Sequence, residues 1–189
     1  MIISPETLHE MVPHASDRAI ERFYLPLCET MERFDIVTRL RIAAFIAQVA
    51  HESGSFRYLE EIASGEAYEG RKDLGNDHPV AFLAAKKYGT TPGRFYKGRG
   101  LLQLTGFYNY EKYGELMDLD LINEPGLLLL PKYACLSAGH FWNEHNLNKF
   151  ADADDIRKIT RIINGGTNGL TQRKLYYETN KRILSSLFK

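Results

Sequence analysis

Ala43-Ala44-Phe45-Ile46-Ala47-Gln48-Val49-Ala50-His51-Glu52-Ser53 runs an almost unbroken apolar segment into a carboxylate, and Gly54-Ser55 follows at once. Upstream, Ile36, Leu40, Ala43, Ala47 and Ala50 recur at spacings of three and four, which is the pattern of a helix with one buried face. The spacing predicts a helix over 36–52 with Glu52 at its C-terminal end. The negative end of the helix dipole and a partly apolar setting both favour a proton on that carboxyl group, as a general acid near neutral pH requires. A Glu in a last helical turn is more often a plain solvated side chain, so position alone does not assign it a role. The His51-Glu52 pair does not begin a helical zinc motif, because Ser55 stands where a second His is needed.

Working outward, the same periodicity predicts further helices over 4–11, 16–32, 108–118, 133–145, 154–163 and 171–188. Strand signal is weak throughout. Between Ser53 and Gly100 the pattern is interrupted by repeated glycines and by Pro79 and Pro92, with aromatic and charged residues interleaved. Long irregular segments in compact domains tend to carry function. The reading is therefore a mainly α, lysozyme-like α (α+β) fold with a long irregular cleft-lining segment and little strand. A single domain over 1–189 is expected, with the N-terminal helices of 1–34 as part of it.

The chain has 189 residues, 44% of them hydrophobic, and its 24 basic and 24 acidic residues cancel. That content supports one substantial core and argues against disorder. A neutral balance offers no overall field for nucleic acid, although 173–189 is locally basic. Cys28 and Cys135 are far apart and outside any ligand-spaced cluster, which reads as two reduced structural thiols. No segment approaches eighteen consecutive apolar residues, and 1–6 shows no basic start followed by an apolar stretch. The expectation is a protein made in the cytoplasm, without stable membrane insertion.

Two more segments carry chemistry-grade residues. In 95–106, Gly98 and Gly100 flank Arg99, and Gln103 and Thr105 then fall on alternate positions. Alternation would place this amide and hydroxyl on one side of an extended strand, able to hold a sugar or a water. The Gly-x-Gly pair lacks the third glycine of a dinucleotide site. In 162–169, Ile-Ile-Asn-Gly-Gly-Thr-Asn-Gly ends a helix in a turn that a ligand can approach closely. An ordinary helix C-cap would explain it equally well.

In order along the chain, Ala47-Gln48-Val49-Ala50-His51-Glu52-Ser53, Gly98-Arg99-Gly100-Leu101-Leu102-Gln103-Leu104-Thr105 and Ile163-Asn164-Gly165-Gly166 resemble the glycoside hydrolase family 19 chitinases and the phage endolysins built on the same fold. Tyr68-Glu69-Gly70-Arg71-Lys72-Asp73-Leu74-Gly75-Asn76 is similar to the bacterial and phage branch of that family. The resemblance implies Glu52 as general acid, a second carboxylate as general base, and inversion at the anomeric carbon. It points to Glu61 as that base, with Glu60 and Glu69 as rivals. It further implies that Thr105 helps hold the attacking water, that Gln103, Asn109 and Asn164 bind the sugar and its N-acetyl group, and that Arg173 orients the second carboxylate. Tyr68, Phe95 and Tyr96 are candidate stacking faces for sugar rings, with hydrophobic packing as the alternative, whereas Trp142 is expected in the core.

No metal and no cofactor are implied. The expected function is an endolysin that hydrolyses β-1,4 bonds of peptidoglycan, with chitin as the alternative substrate and an inactive wall-binding module as a second alternative. The expected partners are peptidoglycan glycan strands and a holin-like membrane protein that gives access to the wall. No nucleic acid is expected, and a monomer is.

Overall fold

A computed structural model describes residues 2–187, so the last residue of the helix expected over 171–188 lies outside them. The architecture is the expected helical one. Helices α1 (Pro5–Met11), α2 (Asp17–Arg33) and α3 (Arg39–Glu52) lead the chain. Then come α4 (Pro79–Lys87), α5 (Pro92–Phe95), α6 (Phe107–Met117), α7 (Pro131–Glu144), α8 (Leu147–Asp152), α9 (Ile156–Asn164) and α10 (Leu170–Leu184). Among the described residues β pairing is limited to two isolated bridges, Glu60 with Arg99 and Arg99 with Leu104.

Helix α3 is the axis. Thr38 caps its first turn by accepting from the Arg41 amide at 3.4 Å, so the helix begins three residues later than its apolar spacing suggests. Every residue from Ile42 to Ala50 is buried. A helix apolar all round belongs inside a core, and its alanines let neighbours approach closely. Helix α10 lies along it, burying Arg173, Tyr177, Asn180 and Leu184 at spacings of four, three and four. Helices α1, α2, α7, α8 and α9 complete this core. Trp142 is wholly buried in it, with its ring nitrogen donating to Asn148 at 2.8 Å. Cys28 and Cys135 are free and buried, and burial raises both thiols above their ordinary range.

A second, smaller core gathers Ala81, Phe95, Tyr96, Phe107, Tyr110 and Leu128. It organises the middle segment, which is less irregular than the sequence suggests. Pro79 and Pro92 stand at the first positions of α4 and α5. There the missing amide costs nothing and the fixed φ is pre-set for a helix, so the two prolines begin helices instead of breaking a pattern. Helix α8 escapes the periodicity because Asn146, at φ 55°, separates it sharply from α7.

Where α7 crosses α2, Gly139 leaves no room for a side chain. A Cβ there would lie 2.3 Å from the Phe34 ring and 2.6 Å from the Thr30 methyl. Gly139→Ala should destabilise the fold by about 1–3 kcal/mol through overpacking, despite its better helix propensity. A lowered denaturation midpoint checks this; an unchanged or raised one would show that the two helices can separate.

Candidate active site

Glu52 closes α3, and the chain must then reverse. Ser53 does this with one hydroxyl, which donates to the Val49 carbonyl at 2.6 Å and accepts from the Phe56 amide at 2.9 Å. Gly54, Ser55 and Phe56 follow with φ of 57°, 62° and 64°. Three successive residues in the left-handed region, two of them not glycine, form a strained elbow that the surroundings must hold. Phe56 anchors it, buried and stacked on Phe23 with centroids 5.1 Å apart. The Ser55 and Tyr176 hydroxyls meet at 3.2 Å.

The elbow delivers residues 59–61 to the segment 98–104. The Gly100 amide donates to the Leu59 carbonyl at 2.9 Å, and the Glu61 amide to the Gly98 carbonyl at 2.9 Å. Arg99 and Leu104 exchange backbone bonds of 3.0 and 2.7 Å. Gln103 adopts φ 53°, so 100–103 is a tight turn and the extended strand expected there does not form. Gln103 and Thr105 nevertheless come together. A Cβ placed on Gly98 would meet Gln103 Oε1 at 2.7 Å, Glu61 Oε2 at 3.2 Å and Thr105 Oγ1 at 3.2 Å. Three side-chain oxygens thus converge on one bare α-carbon, and Asn109 joins their wall by donating to the Thr105 carbonyl at 2.7 Å.

The three rival carboxylates have different surroundings. Glu60 is bound by Arg99 at 2.9 Å and lies 3.5 Å from Lys97. Glu69 accepts from the Thr91 hydroxyl and from the Gly93 and Arg94 amides at 3.1 and 3.2 Å, so it caps α5. Glu61 accepts from the Tyr68 hydroxyl at 3.0 Å and the Gly98 amide at 3.2 Å. Among the described residues no cation comes within ion-pair range of its carboxylate. Burial, then the bond to Glu61, raises the Tyr68 hydroxyl above its ordinary range, so this phenol stays a donor.

At the other carboxylate the structure overturns an expectation. Arg173 does not reach Glu61: one guanidinium nitrogen donates to Glu52 Oε1 at 2.5 Å and the other to Gln48 Oε1 at 2.5 Å. Gln48 donates onward to Thr160 at 3.1 Å, and Thr160 to the Ile156 carbonyl at 2.8 Å. Arg173 is 1% exposed, so it holds Glu52 from behind and presents nothing to a ligand. Glu52 is accordingly a paired carboxylate, whereas the sequence reading left it unpaired. Gln48 was legible as the lone polar residue in the apolar run, one helical turn before Glu52; nothing in the sequence linked it to Thr160.

Tyr96 and Phe95 are likewise not stacking faces. Tyr96 is 0% exposed, with its hydroxyl donating to the Ile122 carbonyl at 2.8 Å, and Phe95 is buried beside it. Both fill the second core. Asn164 is half-buried and braces the turn after α9, donating to the Asn168 carbonyl at 3.1 Å. That turn adjoins the end of α3, because Gly169, at φ 71°, lies so close to His51 that a Cβ would come within 2.3 Å of its ring.

The chain is similar to several known proteins. The family model described as Chitinase class I matches residues 29–158. A glycosyl hydrolase family 19 domain-containing protein of Haemophilus influenzae is 30% identical over 201 residues, covering 93% of this chain and 94% of its own length. An endochitinase of Arabidopsis thaliana is 37% identical over 131 residues; the match covers 69% of this chain and 41% of the plant protein. In fold, the chain superposes on a bacterial family 19 chitinase with a TM-score of 0.74 over 98% of this chain and 96% of the other, at 21% identity.

The histidines give the structure a pH response. Burial, then Arg173, lowers His51 below its ordinary 6.5, and burial, then Arg33, lowers His140. The unfolded chain therefore binds more protons below about pH 6.5, and stability present above that value is lost as pH falls. Denaturant midpoints should decline between about pH 7 and pH 5, and His51→Gln should flatten the decline. Midpoints that stay level over this range would refute it.

Proposed function

Because the chain belongs to the family 19 glycoside hydrolases, we propose that it cleaves β-1,4 bonds of bacterial peptidoglycan, with Glu52 as general acid and Glu61 as general base. The observation that carries the reading is the contrast between the two carboxylates. Arg173 engages Glu52 Oε1, and Oε2 is the oxygen left to face the glycosidic bond. Glu61 is held by two uncharged donors beside Thr105 and Gln103, where a general base would meet the attacking water.

Thr105 donates its own hydrogen to the Gln103 carbonyl at 3.1 Å, so its oxygen lone pairs face outward as acceptors. A water donating to Thr105 and to Glu61 Oε2 would turn a lone pair toward the anomeric carbon. Glu61 would draw off its proton as the bond to carbon forms, and Glu52 would protonate the leaving oxygen. This is the inverting scheme, in which a water needs space between the acid and the base. Gln103 and Asn109 stand on the same wall to bind hydroxyl and acetamido groups, and Asn164 lies on the turn beside α3.

The bacterial relative is named for the family alone and favours neither polymer. The plant endochitinase and the bacterial chitinase of similar fold support chitin as the second reading. Among the described residues no helix is long and apolar enough to cross a membrane. In the proposed setting the enzyme lyses a bacterial host from within, after a holin-like partner opens the membrane.

Mass spectrometry of products from purified peptidoglycan and from chitin oligosaccharides tests substrate and bond together. Reducing-end muropeptides, with the α-anomer formed first and activity that persists in chelator, are expected. Chitin cleavage with intact peptidoglycan would establish the second reading. Glu52→Gln and Glu61→Gln should each lower turnover roughly 10²- to 10⁴-fold while glycan binding persists. Undiminished lysis by either variant would remove that residue from its role. Gly98→Ala should keep the fold but cut turnover by about tenfold or more through displacement of Gln103 and Glu61.

A further inference from the structure

Helix α2 carries its charges on separate flanks. Asp17 and Glu21, one turn apart, line a hollow together with Glu6, His9 and Tyr24. Arg18 and Arg22, also one turn apart, line a different hollow of about 430 Å³ whose wall includes His14, Ser55 and Arg57. Arg18, Arg22 and Arg57 are exposed, and among the described residues no carboxylate lies in ion-pair range of any of them. By contrast Arg41, Arg71, Arg94, Arg99 and Arg173 are each matched to an acid. In a chain of zero net charge, three unmatched guanidiniums around one concavity are a local anion-binding field.

Its position gives that field a purpose. Ser55, Phe56 and Arg57 line the hollow, and they belong to the left-handed elbow between Glu52 and Glu61. At His14 the hollow meets a second one, lined by Met11, Pro13, Leu175 and Tyr176, and Tyr176 bonds Ser55 at 3.2 Å. A cationic trough with an apolar end therefore lies along the elbow that joins the two candidate carboxylates. Chitin carries no charge to place there. Peptidoglycan does, because alternate sugars bear short peptide arms with free carboxylates and small apolar side chains.

We infer that the trough formed by Arg18, Arg22, Arg57 and His14 binds the carboxylates of the peptide arms on peptidoglycan, and so selects the wall polymer over chitin. The inference rests on the proposed peptidoglycan activity for its meaning, but not for its test. Guanidiniums suit the ligand, since their planar donor fork matches a carboxylate in two-point contact.

Two measurements decide it. In an NMR titration of the wild-type protein with free stem peptide, backbone shifts at 14–22 and 55–57 are expected, and they should vanish with the fully amidated peptide or in the Arg18→Gln/Arg22→Gln/Arg57→Gln variant. No shift there, or equal shifts from the amidated peptide, would overturn the inference. In cleavage assays the triple variant should lose about tenfold in kcat/KM on stem-bearing glycan at low salt, less at high salt, and nothing on peptide-free glycan strands. Equal losses on both glycans, or none on either, would also overturn it. Wild-type protein that leaves peptidoglycan uncut yet binds stem peptide would defeat the proposed activity and leave the trough standing. Cleavage without stem binding would do the reverse.

Discussion

A buried arginine holds the candidate site together. Arg173 reaches from the first turns of α10 to the end of α3, and its guanidinium bridges Gln48 and Glu52. A charge 1% exposed is tolerated only if its partners satisfy it, and losing one partner of such a pair costs about 3–5 kcal/mol. The pair therefore ties the position of the proposed general acid to the packing of α10 along α3. Through Gln48 and Thr160 the same chain of bonds reaches α9. The turn between α9 and α10 must then close tightly, and Gly169 under His51 is the residue that lets it.

The opposite wall is built on different physics. Among the described residues no charge pair holds Glu61 itself; backbone pairing of 59–61 with 98–100 does. The charges there are displaced by one residue, to Glu60 and Arg99, and Arg99 is fixed in turn by the Phe95 carbonyl at 2.7 Å and the Tyr110 hydroxyl at 3.2 Å. This strut braces the backbone of Glu61 and leaves its carboxylate to the uncharged donors Tyr68 and Gly98. Adjacent glutamates thus differ, Glu60 as a fastening to Arg99 and Glu61 as the proposed base.

Helical periodicity made the fold legible, because long amphipathic or wholly apolar stretches such as 39–52 and 131–144 leave little choice of structure. It failed where helices are short and begin at proline, as at 79 and 92, since a proline stops one pattern as readily as it starts another. In the site, the residue types were legible and their partners were not. Glu52, Glu61, Gln103 and Thr105 could be singled out by chemistry and resemblance. That Arg173 would choose Glu52 over Glu61 depends on how α10 lies along α3, a packing relation 121 residues apart in sequence. Tyr96 misled for a related reason: an aromatic in a glycine-rich segment can serve a ligand or a core, and only the second hydrophobic cluster decides between them.

The left-handed elbow at 54–56 works as a ruler. Each of its non-glycine residues sits where L-amino acids are disfavoured by about 1–2 kcal/mol, so the segment has one shape and few ways to relax. Glu52 and Glu61 flank it in sequence, so its fixed backbone torsions contribute to the spacing of these two residues. A backbone constraint of this kind is the same for every sugar. Discrimination among polymers must then reside in surfaces beyond the ruler, and those surfaces are free to diverge without disturbing the spacing of the carboxylates.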